Sequence, residues 1–149
     1  MSDLTDLYRE VILDHNRQPR NFGEIEDADR VIEGVNPLCG DRMTLYVKLD
    51  DGRVDDVRFT GTGCAISVAS SSLMTERVKG TTVDESLALF EQVHRMLTEQ
   101  TDEHECTELG KLAALSGVRE YPSRIKCASL AWHALRTALT SDDEAISTE

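Results

Sequence analysis

At 149 residues, 40 % hydrophobic and 30 % charged, the chain has the size and composition of one soluble folded domain with a single core. Its net charge of −12, from 28 acidic and 16 basic residues, argues against a nucleic-acid function, because affinity for a phosphate backbone comes from Lys and Arg. No stretch approaches the ~20 apolar residues of a membrane span, and the acidic start Met1-Ser2-Asp3-Leu4-Thr5-Asp6 lacks the apolar core of a signal peptide. The expected setting is the cytoplasm, with neither nucleic acid nor membrane as a partner. Four cysteines there read as core residues, metal ligands or nucleophiles, not as a disulfide framework.

In chain order, Leu4, Leu7, Tyr8, Val11 and Ile12 fall on one helical face and predict an amphipathic first helix that ends before Pro19. Residues 15–28 read as an irregular connection. Residues 29–35 predict a first strand. Met43, Leu45, Val47 and Leu49 alternate with polar neighbours and predict a second. Asp50-Asp51-Gly52-Arg53 is a hairpin signal, and Val57 and Phe59 mark a third strand. The small side chains of residues 65–79 predict a helix packed closely on the sheet and stopped by Gly80. Thr82 and Glu85 form a capping box for the next helix, with Val83, Leu87, Phe90, Val93 and Leu97 as its apolar stripe. Residues 99–107 read as a solvated acidic loop, and a short helix near 108–116 ends at Gly117. Tyr121-Pro122-Ser123 opens a last helix with Ala128, Ala131, Leu135 and Ala138 on one face. Residues 1–140 are expected to form one domain, with 141–149 a flexible tail. Strands first and helices afterwards predict an α+β fold: a three-stranded antiparallel sheet, helices packed on one face, and an N-terminal helix preceding the sheet.

Three stretches carry the chemistry. Asn36-Pro37-Leu38-Cys39-Gly40-Asp41 puts a thiol and a carboxylate two residues apart on a turn. Cys64 follows Gly61-Thr62-Gly63, just past the third strand. The first stretch links strands one and two, so in a meander it lies at the same end of the sheet as Cys64. Cys127 follows Arg124-Ile125-Lys126. Cys64 and Cys127 are expected at helix N-termini, where backbone N–H groups favour thiolate, and Arg124 and Lys126 push the same way. Three thiolates and a carboxylate would suit a soft ion such as zinc. The spacing alone meets no metal motif, so core cysteines and a turn aspartate remain the alternative. His104-Glu105-Cys106 has no matching second pair and reads as a bystander. His15, His94 and His133 read as surface or packing residues.

Taken together, these residues resemble the IscU/NifU-like family of iron–sulfur assembly proteins over most of the chain. The resemblance rests on Tyr8, Val11-Ile12, His15 and Pro19-Arg20-Asn21, on the stretch from Asn36 to Asp41, on Gly61 through Ser67, and on Lys126-Cys127 with Ala128-Ser129-Leu130-Ala131. Scaffold members carry a Leu-Pro-Pro-Val-Lys motif and a histidine before the last cysteine. Here that motif is absent and Lys126 stands in the histidine's place. Extra sequence from Leu109-Gly110-Lys111 to Gly117-Val118-Arg119 precedes it. Both features are similar to the SufU branch, whose fold is of the SufE/NifU-like α+β kind.

The resemblance implies a zinc-dependent sulfurtransferase. Its zinc ligands would be Cys39, Asp41, Cys64 and Cys127. Cys39 would accept persulfide sulfur from a SufS-type cysteine desulfurase, a pyridoxal-phosphate enzyme, once a histidine of that partner replaces one thiolate on zinc. The sulfur would then pass to a SufB-containing scaffold complex. Arg124 would hold Asp41 or steady the thiolate. Two other readings compete: a scaffold on which the same residues assemble a [2Fe–2S] cluster, and a zinc fold that only binds a partner.

Overall fold

The protein is described by a computed structural model over residues 3–37, 40–98, 109–141 and 145–147. Helix α1 (Asp3–Arg17) is followed by strands β1 (Arg30–Asn36), β2 (Asp41–Asp50) and β3 (Arg53–Thr62), then helices α2 (Ala65–Val78) and α3 (Val83–Thr98). A 3-10 segment (Gly110–Glu120) leads into helix α4 (Pro122–Thr140) and a short strand β4 (Ala145–Ser147). The architecture is the expected α+β class, with one correction. The sheet has four strands in the order β3-β2-β1-β4, not three.

The meander is antiparallel: Asn36 pairs with Asp41 at one end of β1–β2, and Asp50 pairs with Arg53 at the far end of β2–β3. The added strand β4 runs parallel to β1, with Gly34 opposite Ile146. Its physical reason is a missing side chain. A Cβ on Gly34 would lie 3.5 Å from Ile146 Cγ1 and 3.2 Å from Leu130 Cδ1. The bare backbone there lets Ile146 settle between strand and helix, where a frayed end was expected.

Alternation sets which face is covered. Met43, Leu45 and Val47 of β2 and Val57 and Phe59 of β3 are buried, whereas Arg42 and Arg58 are exposed. Helices α2 and α4 pack on the buried face, with α1 laid against α2. Trp132, Phe59, Ile32, Leu45 and Leu73 are among the largest side chains fully enclosed in the core. The capping box forms as read: Thr82 N–H donates to Glu85 Oε1 at 3.2 Å and Glu85 N–H to Thr82 Oγ1 at 3.1 Å. The segment after residue 108 differs from the expected short helix. It is 3-10, and it runs through Gly117 to Glu120.

Helix α2 is unusual in being buried through hydroxyl groups. Ser67, Ser70, Ser71, Ser72 and Thr75 are all enclosed. Ser70 Oγ donates to Ala128 O at 2.5 Å and accepts from Trp132 Nε1 at 3.1 Å, tying α2 to α4. Ser72 Oγ lies 2.7 Å from His15 Nδ1 and accepts from Arg20 N–H at 2.8 Å, tying α2 to α1 and the segment after it. His15 is thus a packing residue, as expected. Burial, and then Arg20, push its proton affinity below the usual histidine range. No helix among the described residues is long and apolar enough to cross a membrane.

Candidate metal centre

Three of the residues singled out in sequence meet at one end of the sheet. Asp41 supplies the first ligand atom from the start of β2, Cys64 the second from the cap of α2, and Cys127 the third from within α4. Their ligand atoms all lie within 4.8 Å of one another. Asp41 is 0 % exposed and Cys127 2 %, with Cys64 half-buried between them. Cys39, the fourth residue expected here, lies outside the described residues, as do His104, Glu105 and Cys106. Cys39 belongs to the short link, residues 37–40, between the paired residues Asn36 and Asp41.

Each side chain is aimed by local backbone. Asp41 follows Gly40, whose φ of +72° lets the chain turn sharply into β2, and Gly40 N–H closes the turn on Asn36 O at 2.9 Å. Asp41 Oδ1 accepts the Cys64 N–H at 2.9 Å, leaving Oδ2 facing the Cys64 thiol at 3.8 Å. Cys64 is the N-cap of α2, in extended conformation, and its Sγ accepts the Ser67 N–H at 3.4 Å. A cap position of this kind favours negative charge on sulfur.

Two glycines make the approach possible. A Cβ on Gly63 would stand 2.7 Å from Asp41 Oδ1, and one on Gly61, whose φ is +151°, would stand 2.2 Å from Arg42 O. The end of β3 therefore touches the start of β2 closely enough for a backbone N–H to reach the carboxylate. This requirement was not read from the sequence, where the two glycines were noted only as preceding Cys64 past the third strand.

Cys127 differs from the expectation. Helix α4 begins at Pro122, so Cys127 sits beyond the first turn, where the dipole effect has faded. Its hydrogen-bond donor comes from another element. Asn36 Nδ2 donates to Cys127 Sγ at 3.5 Å. Asn36 is 0 % exposed, and its Oδ1 has no partner among the described residues. The sequence reading put Asn36 in the turn and gave it no role. Its signal was the alternation of β1: Ile32, Gly34 and Asn36 all face inward, and an inward asparagine at a strand end needs a reason.

Arg124 was expected beside Asp41 or the thiolate. Its side chain is exposed and its guanidinium lies over the Tyr121 ring at 4.7 Å, with no ion pair to Asp41 among the described residues. Lys126 is half-buried on the same helix.

The donor set fits a zinc ion. Zn–S bonds of ~2.3 Å in a tetrahedron place neighbouring ligand atoms ~3.5–3.8 Å apart. A set already within 4.8 Å needs only a small contraction. Asp41 would offer one oxygen to the ion, its other oxygen being engaged by Cys64 N–H, which is the kind of outer contact that fixes a ligand's orientation.

Residues 7–140 match the family model described as the NifU-like N-terminal domain. The zinc-dependent sulfurtransferase SufU of Bacillus subtilis (strain 168) is 40 % identical over 142 residues, covering 95 % of this chain and 95 % of that protein. The iron–sulfur cluster assembly scaffold protein IscU of Streptococcus pyogenes serotype M1 is 41 % identical over 139 residues, covering 93 % of this chain and 86 % of that protein. Among solved structures, the iron–sulfur cluster assembly scaffold protein for the SUF system (FiSufU) from Fervidobacterium islandicum AW-1 superposes with a TM-score of 0.80 at 39 % identity. That match covers 88 % of this chain and 95 % of the other.

Proposed function

The chain belongs to the NifU-like N-terminal domain family, and within it we propose that this protein is a zinc-dependent sulfurtransferase of iron–sulfur cluster assembly. It accepts persulfide sulfur from a SufS-type cysteine desulfurase and delivers it to a SufB-containing scaffold complex in the cytoplasm. The observation that carries the reading is the convergence of Asp41, Cys64 and Cys127, with Cys39 on the link that joins Asn36 to Asp41. The relative named SufU supports it, being similar over nearly the whole of both chains.

In this reading Cys39, Asp41, Cys64 and Cys127 hold the ion, and Cys39 is the acceptor. Bound zinc would keep the thiols deprotonated and, having no redox change of its own, suits a transfer in which sulfur moves between two thiolates. The balance is simple. The acceptor thiolate attacks the outer sulfur of the donor's persulfide, a new S–S bond forms, the donor's S–S bond breaks, and the donor cysteine leaves as a thiolate. No external oxidant, reductant or proton is needed. The chain's own contribution is placement: Asp41 fixes the backbone of Cys64, Ser67 N–H caps its sulfur, and Asn36 donates to Cys127.

The alternative is a scaffold on which the same residues assemble a [2Fe–2S] cluster, which the relative named IscU favours. Metal and sulfide analysis of protein purified without chelators separates the two. About one zinc per chain without iron or sulfide is the expected result; iron with matching sulfide overturns it. Desulfurase turnover with Cys39→Ala then tests the acceptor. The variant should dock on the desulfurase without stimulating it, and wild-type stimulation would reject Cys39 in that role.

A further inference from the structure

Helix α4 carries Arg124, Lys126, His133 and Arg136 and no Asp or Glu at all, in a chain that has 28 acidic residues. Five basic side chains outside this helix pair with carboxylates. Arg20 pairs with Asp14 at 2.7 Å, Arg58 and Lys79 with Asp56 at 3.4 and 3.3 Å, Lys111 with Glu76 at 3.3 Å, and Lys48 with Asp27. Lys126 and Arg136 have no such partner among the described residues. They line a cavity of about 480 Å³ between α4 and β4, together with Ser129, His133, Thr137 and Ile146.

We propose that this groove docks an extended acidic segment of a partner protein, held by carboxylates placed on Lys126 and Arg136. Charge complementarity argues for acid: two cations without an ion-pair partner among the described residues face the groove with the hydroxyl residues Ser129, Thr137, Thr140 and Ser147, and no carboxylate among the described residues lines it. Arg136 is partly pre-positioned, its guanidinium lying over Phe90 at 5.5 Å. Burial, then His94 and Arg136, hold His133 toward its neutral form, so the fixed charge of the groove is that of Lys126 and Arg136.

Shape argues for an extended chain over a compact ion. From Lys126 to Thr140 the helix rises ~21 Å, and the two cations stand ~15 Å apart along its axis. Residues four apart on an extended strand face the same way and span ~13 Å. Two glutamates at that spacing reach both cations, and a β-branched residue midway meets Ile146. Because the groove starts at Lys126, next to Cys127, its occupant lies alongside the metal centre. The proposal rests on the groove alone and stands whether that centre carries zinc or a cluster.

The test is fluorescence anisotropy at an ionic strength of about 0.15 M, where the ~8 Å screening length hides most of the chain's net negative charge but not direct contacts. The probe is a labelled peptide Gly-Glu-Ser-Val-Ser-Glu-Gly, with the same peptide carrying Gln for both Glu as control. The Glu peptide should bind about tenfold more tightly than the control. Lys126→Glu and Arg136→Glu should each weaken it to the control's level. Thr140→Glu, which leaves the Phe90 contact intact, should weaken it as well. Arg58→Glu, on the exposed face of the sheet, should leave binding unchanged, and thermal melts verify that each variant is folded. Equal binding of the two peptides, or equal loss with Arg58→Glu, overturns the proposal.

Discussion

The turn between β2 and β3 and the link between β1 and β2 join strands of one sheet, and each pairs an aspartate with a glycine of positive φ. At Asp51-Gly52 both residues are left-handed, with φ of 49° and 77°, which is the two-residue turn whose twist matches a hairpin. Both are exposed. At Gly40-Asp41 the glycine has φ of 72°, but the aspartate that follows is fully enclosed and spends one oxygen on the N–H of Cys64. The first connection serves the backbone alone. The second buries Asn36 and Asp41, polar groups that cost stability unless each atom is matched. Burial at that end gains an oriented ligand set in place of stability.

Breaking the second connection should therefore have the larger effects. The greatest is expected from Cys127→Ala, which removes a buried thiol of the proposed metal site. Zinc affinity should fall by at least about a hundredfold in competition with a chromophoric chelator, while Cys39 and Cys64 stay alkylatable. Next comes Gly63→Ala. Its new methyl would meet Asp41 Oδ1 at 2.7 Å, so the variant should lose about 1–3 kcal/mol in urea unfolding and bind less zinc. An unchanged midpoint would mean that Asp41 moves aside freely.

Asn36→Leu sharpens the comparison because it separates binding from stability. It removes the donor to Cys127 and also the unpartnered Oδ1. Zinc affinity should fall about tenfold with little change in unfolding midpoint. In the cobalt-substituted protein the sulfur-to-metal charge-transfer band should shift to lower energy, a change that loss of packing alone does not produce. The smallest effect belongs to the other turn. Asp51→Asn keeps a residue that tolerates positive φ and should change stability by less than about 0.5 kcal/mol, with zinc stoichiometry untouched.

The same contrast explains what was legible in the sequence. The hairpin at Asp51-Gly52, the strand alternation through Met43 to Leu49, the Thr82–Glu85 box and the apolar face of α4 are local signals. Each needs only a few neighbouring residues, and each is found in place. The meander also foretold that Asp41 and Cys64 share one end of the sheet. Other features depend on atoms distant in the chain. Gly63 matters because Asp41 lies against it, and Asn36 because Cys127 does, 91 residues later. β4 was missed because three residues carry too short a pattern, and its place is made by the absent side chain of Gly34. The start of α4 at Pro122 was visible, but its consequence for Cys127 depends on where the helix meets the sheet.

The row of hydroxyls on α2 has a mechanical consequence. A helix seated on apolar contacts alone can creep about its axis, since dispersion forces are nearly indifferent to small rotations. Hydrogen bonds from Ser70 to Ala128 O, from Trp132 to Ser70, from Arg20 N–H to Ser72 and from Thr75 to Arg20 O act instead like the splines of a shaft. They fix its rotation and its axial position together. The sulfur of Cys64 rides on the end of that shaft, so its tolerance is set several turns away, by residues that never touch it.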